Sequence, residues 1–245
     1  MRALVLAAAF LAVSTCVPGQ TFEVASVKHK IVSDIPSPRL NCSDGGRFLS
    51  VDFPVQVIVQ WAYGIQFFQL AGATPGWIAD YRDAYNVDAR SAGPVTQAQC
   101  RLMVQALLAD RFKLKVHRET KELPSYALRL GKNKPKLQEA GEKDVVKVQG
   151  HPYFDESQAQ QNGWTMHKLA SYLSGAPSLD GRAVVDQTGL TGTYKIDFVY
   201  AFMPNDNDRP DVFAAVQDQL GLKLEATKAP VEMLVIDGIE RPSEN

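Results

Sequence analysis

The chain has 245 residues, a formal net charge of −1 and 22% charged residues, and no block of like charges stands out. That balance implies neither nucleic acid nor an anionic bilayer as a partner. Forty-five per cent hydrophobic residues over this length is enough for one large domain or two small ones with a proper core.

Met1-Arg2 precedes an apolar run from Ala3 to Val13, and Ser14 to Gln20 are small, polar or helix-breaking. This pattern predicts a secretory signal peptide over residues 1–20, cut after Gly19 or Gln20, and hence a periplasmic or extracellular protein. The run is shorter than the roughly 20 apolar residues of a membrane span, and no later stretch approaches that length. The rival reading is a lipoprotein signal with Cys16 as the lipid-bearing residue, although Thr15 before it fits poorly.

Thr21 to Lys28 alternates and reads as a strand, Ile31 to Gly46 reads as a loop, and Phe48 to Val51 as a short strand. Pro54 suits the first turn of a helix running to Tyr63, with Val55, Ile58, Val59 and Ala62 on one face and Gly64 ending it. Thr96 with Gln99 forms a capping box for a second helix, with Leu102, Met103, Ala106 and Leu107 on its apolar face, ending near Asp110-Arg111. Phe112, Leu114 and Val116 then alternate, Lys121 to Pro124 reads as a turn, and Tyr126, Leu128 and Leu130 alternate again. Helix and hairpin together make one unit.

The second half repeats the order. Thr165 opens a helix with Met166, Leu169, Ala170 and Leu173 on one face, and Pro210-Asp211 opens another that Gly221 ends. Leu222, Leu224 and Ala226 follow, then a turn at Lys228-Ala229-Pro230 and a closing strand with Met233, Val235 and Asp237. Residues match as well: Thr120-Lys121 with Thr227-Lys228, and Tyr85-Asn86-Val87-Asp88 with Tyr194-Lys195-Ile196-Asp197. Matches in the same order argue for an internal duplication. The expected fold is α+β: two similar αββαββ-like halves, 21–135 and 164–245, with mainly antiparallel sheets and helices packed on them. The polar stretch Gly131 to Gly150 supplies the linker, placed at 136–163.

Several segments resemble a large family of exported proteins of unknown function from soil-dwelling acidobacteria. They are Phe22 to Lys28, Trp61-Ala62-Tyr63-Gly64, Leu107 to Leu114, Val184 to Tyr194 and the ending Val235 to Asn245. The resemblance spans the predicted mature chain and brings no established activity. Some relatives are attached to BlaR-type sensor metallopeptidases, which implies sensing or binding, and the His-Glu-x-x-His motif of that peptidase is absent here. A fold-level likeness to the short β-α-β-β docking modules of secretins and TonB-dependent receptors points the same way.

Signals for chemistry are sparse. Asp186-Gln187-Thr188-Gly189 looks superficially like the loops of P-type ATPases and aspartic proteases, but it lacks the first group's Mg-ATP site and the second's paired carboxylate loop. It reads as a tight turn. His29, His117, His151 and His167 stand at no metal-ligand spacing, so no metal is implied, and no glycine loop implies a cofactor. Trp77, after Pro75-Gly76, is the best aromatic for ligand contact, with Tyr63 and His117 as further candidates. With Cys16 in the leader, Cys42 and Cys100 form either one disulfide or two buried thiols. The sequence therefore reads as an extracytoplasmic binding or interaction module that carries no catalytic residues and takes an envelope protein or cell-wall component as partner. The alternatives are a small-ligand sensor and a hydrolase of unrecognised type.

Overall fold

A computed structural model describes residues 21–32, 38–141, 146–149, 163–202 and 206–243, with the side chains of 147–149 left out of the description. The predicted leader with Cys16, and His151 with most of the predicted linker, lie outside the described residues. The fold is α+β, with four α-helices among the described residues and mixed parallel and antiparallel sheets. It divides into two compact units. Unit 1 takes the described residues of Met1–Tyr63, Pro75–Lys115 and Gly238–Asn245, and unit 2 those of Gly64–Thr74 and Val116–Asp237.

Unit 1 is a four-stranded antiparallel sheet backed by two helices. Its strands are β1 (Val24–Ile31), β2 (Arg39–Cys42), β3 (Arg47–Phe53) and β5 (Asp83–Arg90), in the order β1-β5-β3-β2. The alternation of strand side chains sends Val27, Phe48, Val87 and Ala89 into the core and leaves Lys28, Arg47 and Arg90 outside. Helix α1 (Val55–Tyr63) buries Val55, Ile58, Val59 and Ala62, the face its spacing predicts. Helix α2 (Gln97–Arg111) begins at Thr96, whose hydroxyl accepts from the Gln99 N–H while the Gln99 side chain accepts from the Thr96 N–H. Arg101 and Gln105 on α2 donate to the carbonyls of Trp61 and Ala62, so the second helix satisfies the open end of the first. Cys42 on β2 and Cys100 on α2 are joined as a disulfide, with Cα atoms 6.6 Å apart, which ties sheet to helix.

The Ile31–Gly46 segment contains a strand that sequence reasoning did not foresee. In β2, Leu40 and Cys42 pair opposite Ser50 and Phe48, so two inward side chains recover a short hydrogen-bonded edge in a polar stretch.

In unit 2 the central sheet has the order β10-β6-β13-β4, formed by β4 (Leu70–Gly72), β6 (Lys115–Leu130), β10 (Val184–Asp186) and β13 (Leu222–Gly238). Strands β6 and β13 run 16 and 17 residues without a break. The predicted turns at Lys121–Pro124 and Lys228–Pro230 therefore do not occur. Arg129 meets Glu225 and His117 meets Asp237, so the two strands lie antiparallel to each other in place of two separate hairpins. Prolines 124 and 230 fit because β10 pairs only with Tyr126–Leu128 and β4 only with Leu234–Ile236. Along the outer edges beside each proline no described strand pairs, so a missing N–H directed outward breaks no ladder bond.

Helices α3 (Met166–Leu173) and α4 (Val212–Leu220) cover this sheet with Leu169, Leu173, Val212 and Val216 in a core that includes Leu128, Trp164 and Leu222. Thr165 caps α3, Asp211 caps α4 through the Phe213 and Ala214 N–H groups, and Gly221 ends α4 at φ +68°. The remaining short strands are β7 (Gln138–Glu139), β8 (Lys147–Gln149), β9 (Trp164–Thr165), β11 (Thr193–Lys195) and β12 (Asp197–Val199), arranged β7-β11-β9 and β12-β8.

Candidate functional site

A grouping of charged and aromatic side chains in unit 1 forms where β1, β5 and the segment after β13 meet. Register places His29 of β1 opposite Tyr85 of β5, with Asp83 two residues before Tyr85 on the same face. A single 3-10 turn, Gly76–Ile78, carries Trp77 to Tyr85, ring centroids 6.0 Å apart. After β13 the backbone N–H of Glu240 donates to the carbonyl of Phe112 at 2.7 Å, and this bond fixes the segment that carries Arg241.

Arg241 then makes three kinds of contact. Its Nη1 donates to Asp83 Oδ1 at 3.0 Å and to the Tyr85 hydroxyl oxygen at 3.1 Å, and its Nη2 donates to Asp83 Oδ2. Its guanidinium carbon lies 4.7 Å from the centre of the Trp77 ring, within cation–π range. His29 Nε2 approaches Asp83 Oδ1 at 2.7 Å from the other side. The Asp83 side chain is only 13% exposed, and the bonds from Arg241 hold its carboxyl below the usual range against the opposing effect of burial. Burial pushes the Tyr85 phenol up.

A cavity of about 360 Å³ opens beside this cluster within unit 1. Arg111, Lys113 and Arg241 bring three cations to its wall, and Asp110 and Glu240 bring two carboxylates. Arg111 Nε lies 3.2 Å from Asp110 Oδ2, and Lys113 Nζ donates to the Asp110 carbonyl at 2.7 Å. Lys113 adopts φ +51°, a left-handed bend directly after α2 that turns the chain along the cavity rim. The wall is suited to an anion with hydrogen-bond acceptors, since guanidinium and ammonium groups offer only donors.

The residues singled out from sequence fall in different places. Trp77 is half-buried and belongs to the Arg241 cluster. Tyr63 closes α1 and is half-buried. His117 lies on β6 in unit 2, half exposed, with Nδ1 2.9 Å from Asp237 Oδ1. Asp186 takes its predicted turn role: Oδ1 accepts from the Thr188 N–H at 2.9 Å and from the Thr188 hydroxyl at 2.8 Å. Asp83 and Arg241 escaped sequence reasoning and His29 was weighed only as a metal ligand, since Asp83 and Arg241 lie 158 positions apart and no short motif joins the three.

Fold and site thus define an α+β protein with a charged, aromatic-lined surface cluster and an adjoining cationic cavity. The chain belongs to the family described as "Protein of unknown function (DUF3738)", which matches residues 56–239. That span includes Trp77, Asp83 and Tyr85 and leaves His29 and Arg241 outside it. No curated protein and no solved structure matches the chain.

Proposed function

We propose that the chain is an extracytoplasmic binding module that recognises an anionic envelope component without transforming it. The single observation that carries this reading is the cavity beside Arg241, whose size falls in the range of small-ligand sites and whose wall presents three cations. The leader-like residues 1–20, the resemblance to exported acidobacterial proteins and the attachment of some relatives to BlaR-type sensors support an envelope setting. The sensor reading differs only in what binding triggers, and the same cavity serves it. A hydrolase that works through a side-chain nucleophile bonds it to its base; His29 Nε2 is bonded to Asp83, and among the described residues no Ser, Thr or Cys side chain is bonded to His29, so this cluster lends that reading no support.

The test uses the full exported chain and its Lys113→Asn, Arg111→Gln variant. Asn tolerates the left-handed bend, so the pair of changes removes charge from the wall with little strain. Immobilised wild-type protein is expected to retain material from the native envelope that the variant releases, and cell fractionation is expected to place the chain outside the cytoplasm. Equal retention by both proteins, or a cytoplasmic location, overturns the reading.

A further inference from the structure

The sheet of unit 1 has a second face, turned away from α1 and α2, and its charge is unlike that of the chain as a whole. Because β-strand side chains alternate, Lys28 and Lys30 of β1, Arg90 of β5, Arg47 of β3 and Arg39 of β2 all project from it. The acids on these strand positions are Asp88, which Arg47 grips with Nε at 2.9 Å and Nη2 at 2.7 Å, and Asp52, which Lys30 meets at 2.6 Å. The side chains of Lys28, Arg39 and Arg90 are exposed and donate no hydrogen bond to a described residue, and Arg90 adds only its charge to the pull of Arg47 on Asp88. Five cations against two acids stand on one face of a chain whose net charge is −1.

From these positions we infer that this open face is a docking surface for a linear, carboxylate-bearing polysaccharide. The inference rests on the extracytoplasmic reading above, and it adds a surface distinct from the cavity. Lys28, Arg39 and Arg90 stand on three different strands. Lys28 and Arg39 are three strand spacings apart, about 14 Å, and Arg90 lies four residues along β5 from the Asn86 that faces Lys28, about 13 Å. A ligand that reaches all three crosses the strands and does not extend the sheet edge, which argues against an acidic peptide added as a further β-strand. Leu49 and Val51, half-buried between these charges, provide an apolar strip for the C–H faces of sugar rings. No aromatic side chain stands on these positions to stack a nucleobase, and Val24 is the one large exposed apolar group there to enter a bilayer.

The experiment titrates the full chain with alginate oligosaccharides at low and at physiological salt, alongside vesicles containing phosphatidylglycerol and poly-L-glutamate. Three variants accompany it: Lys28→Glu/Arg39→Glu/Arg90→Glu, the charge-keeping Lys28→Arg/Arg39→Lys/Arg90→Lys, and the cavity variant Lys113→Asn/Arg111→Gln. Alginate is expected to bind the wild type, to weaken at least tenfold on charge reversal and at higher salt, and to bind the charge-keeping and cavity variants within about twofold of wild type. Thermal melts check that the exposed charge-reversal variant folds, and the retained binding of the charge-keeping variant keeps the test valid if it does not. Absent alginate binding, or binding indifferent to the charge-keeping and reversed sets alike, overturns the inference. Equal or tighter binding of the vesicles or of poly-L-glutamate overturns the choice of polysaccharide. Loss in the cavity variant alone leaves the binding module standing and removes this surface from it.

Discussion

Replacing both Cys42 and Cys100 with alanine tests how much of unit 1 depends on the bond between β2 and α2. The two residues are 58 positions apart, and the closed loop contains β3, α1, β4 and β5. In the chain-entropy picture a closed loop of that length lowers the entropy of the unfolded chain by about 14 cal/mol/K, which is about 4 kcal/mol at 25 °C. Cys100 is fully buried, so alanine there also leaves a small void, of about 1 kcal/mol or less. The expected loss is therefore about 3–5 kcal/mol. It is measured by urea denaturation of the oxidised wild type, the wild type in reductant and the double variant, at one pH. For a chain of this size that loss lowers the melting temperature by roughly 6–20 °C. Reduced wild type and the double variant should agree to within about 1 kcal/mol, because both lack the same constraint. Two titratable thiols in the unreduced, denatured wild type would refute the bond itself. An oxidised-minus-reduced difference below about 1 kcal/mol would refute the entropic argument while leaving the bond in place.

Three further outcomes are expected. Asp83 is held below its ordinary carboxyl range in the folded state by Arg241, so its contribution is complete above about pH 5 and is lost as pH falls through the folded value. Asp83→Asn should cost about 1–3 kcal/mol at pH 7 and flatten the decline of the urea midpoint between about pH 5 and pH 2; an unchanged acid slope argues against this role. Gly46 has φ +79°, and a Cβ there would lie 1.8 Å from Ser91 Oγ and 2.4 Å from the Gly93 carbonyl oxygen. Gly46→Ala should cost about 2 kcal/mol or more in a thermal melt, and a cost below about 0.5 kcal/mol would contradict the tight turn. Asp186→Ala should lose about 1–2 kcal/mol, the worth of a turn bond to Thr188, whereas His117→Ala should lose less than about 1 kcal/mol, since its pair with Asp237 is solvent-exposed.

Local physics made the helices legible in the sequence. Thr96 with Gln99, Thr165, and Asp211 with Gly221 mark helix ends through bonds made within three or four residues, and the structure uses those bonds. The strands were less legible where a local signal had two outcomes. A proline shortly after a Thr-Lys pair reads as a turn, and Pro124 after Thr120-Lys121 and Pro230 after Thr227-Lys228 both follow that pattern. What decides between a turn and a long strand is whether the outer edge at that point has a neighbour, and the neighbours β10 and β4 come from distant parts of the chain. Likewise β2 was hidden because its inward face holds only Leu40 and Cys42, too few for a visible alternation.

The candidate site was half legible for the same reason. A large aromatic after Pro75-Gly76 in a loop drew notice to Trp77, but its meaning comes from Arg241, which arrives from the other end of the chain. The bond from the Glu240 N–H to the Phe112 carbonyl just beyond α2 holds the segment that carries Arg241 to Trp77, and the β1–β5 register puts His29 beside Asp83. Each of those bonds joins segments that no periodicity links. A carboxylate between a guanidinium and an imidazole, with an aromatic ring under the guanidinium, depends on both β1 and the segment after β13 having docked. Truncating the chain before Gly238 removes Arg241 and leaves Asp83 with His29 alone, so the tail belongs to the functional reading of unit 1 as much as its sheet does.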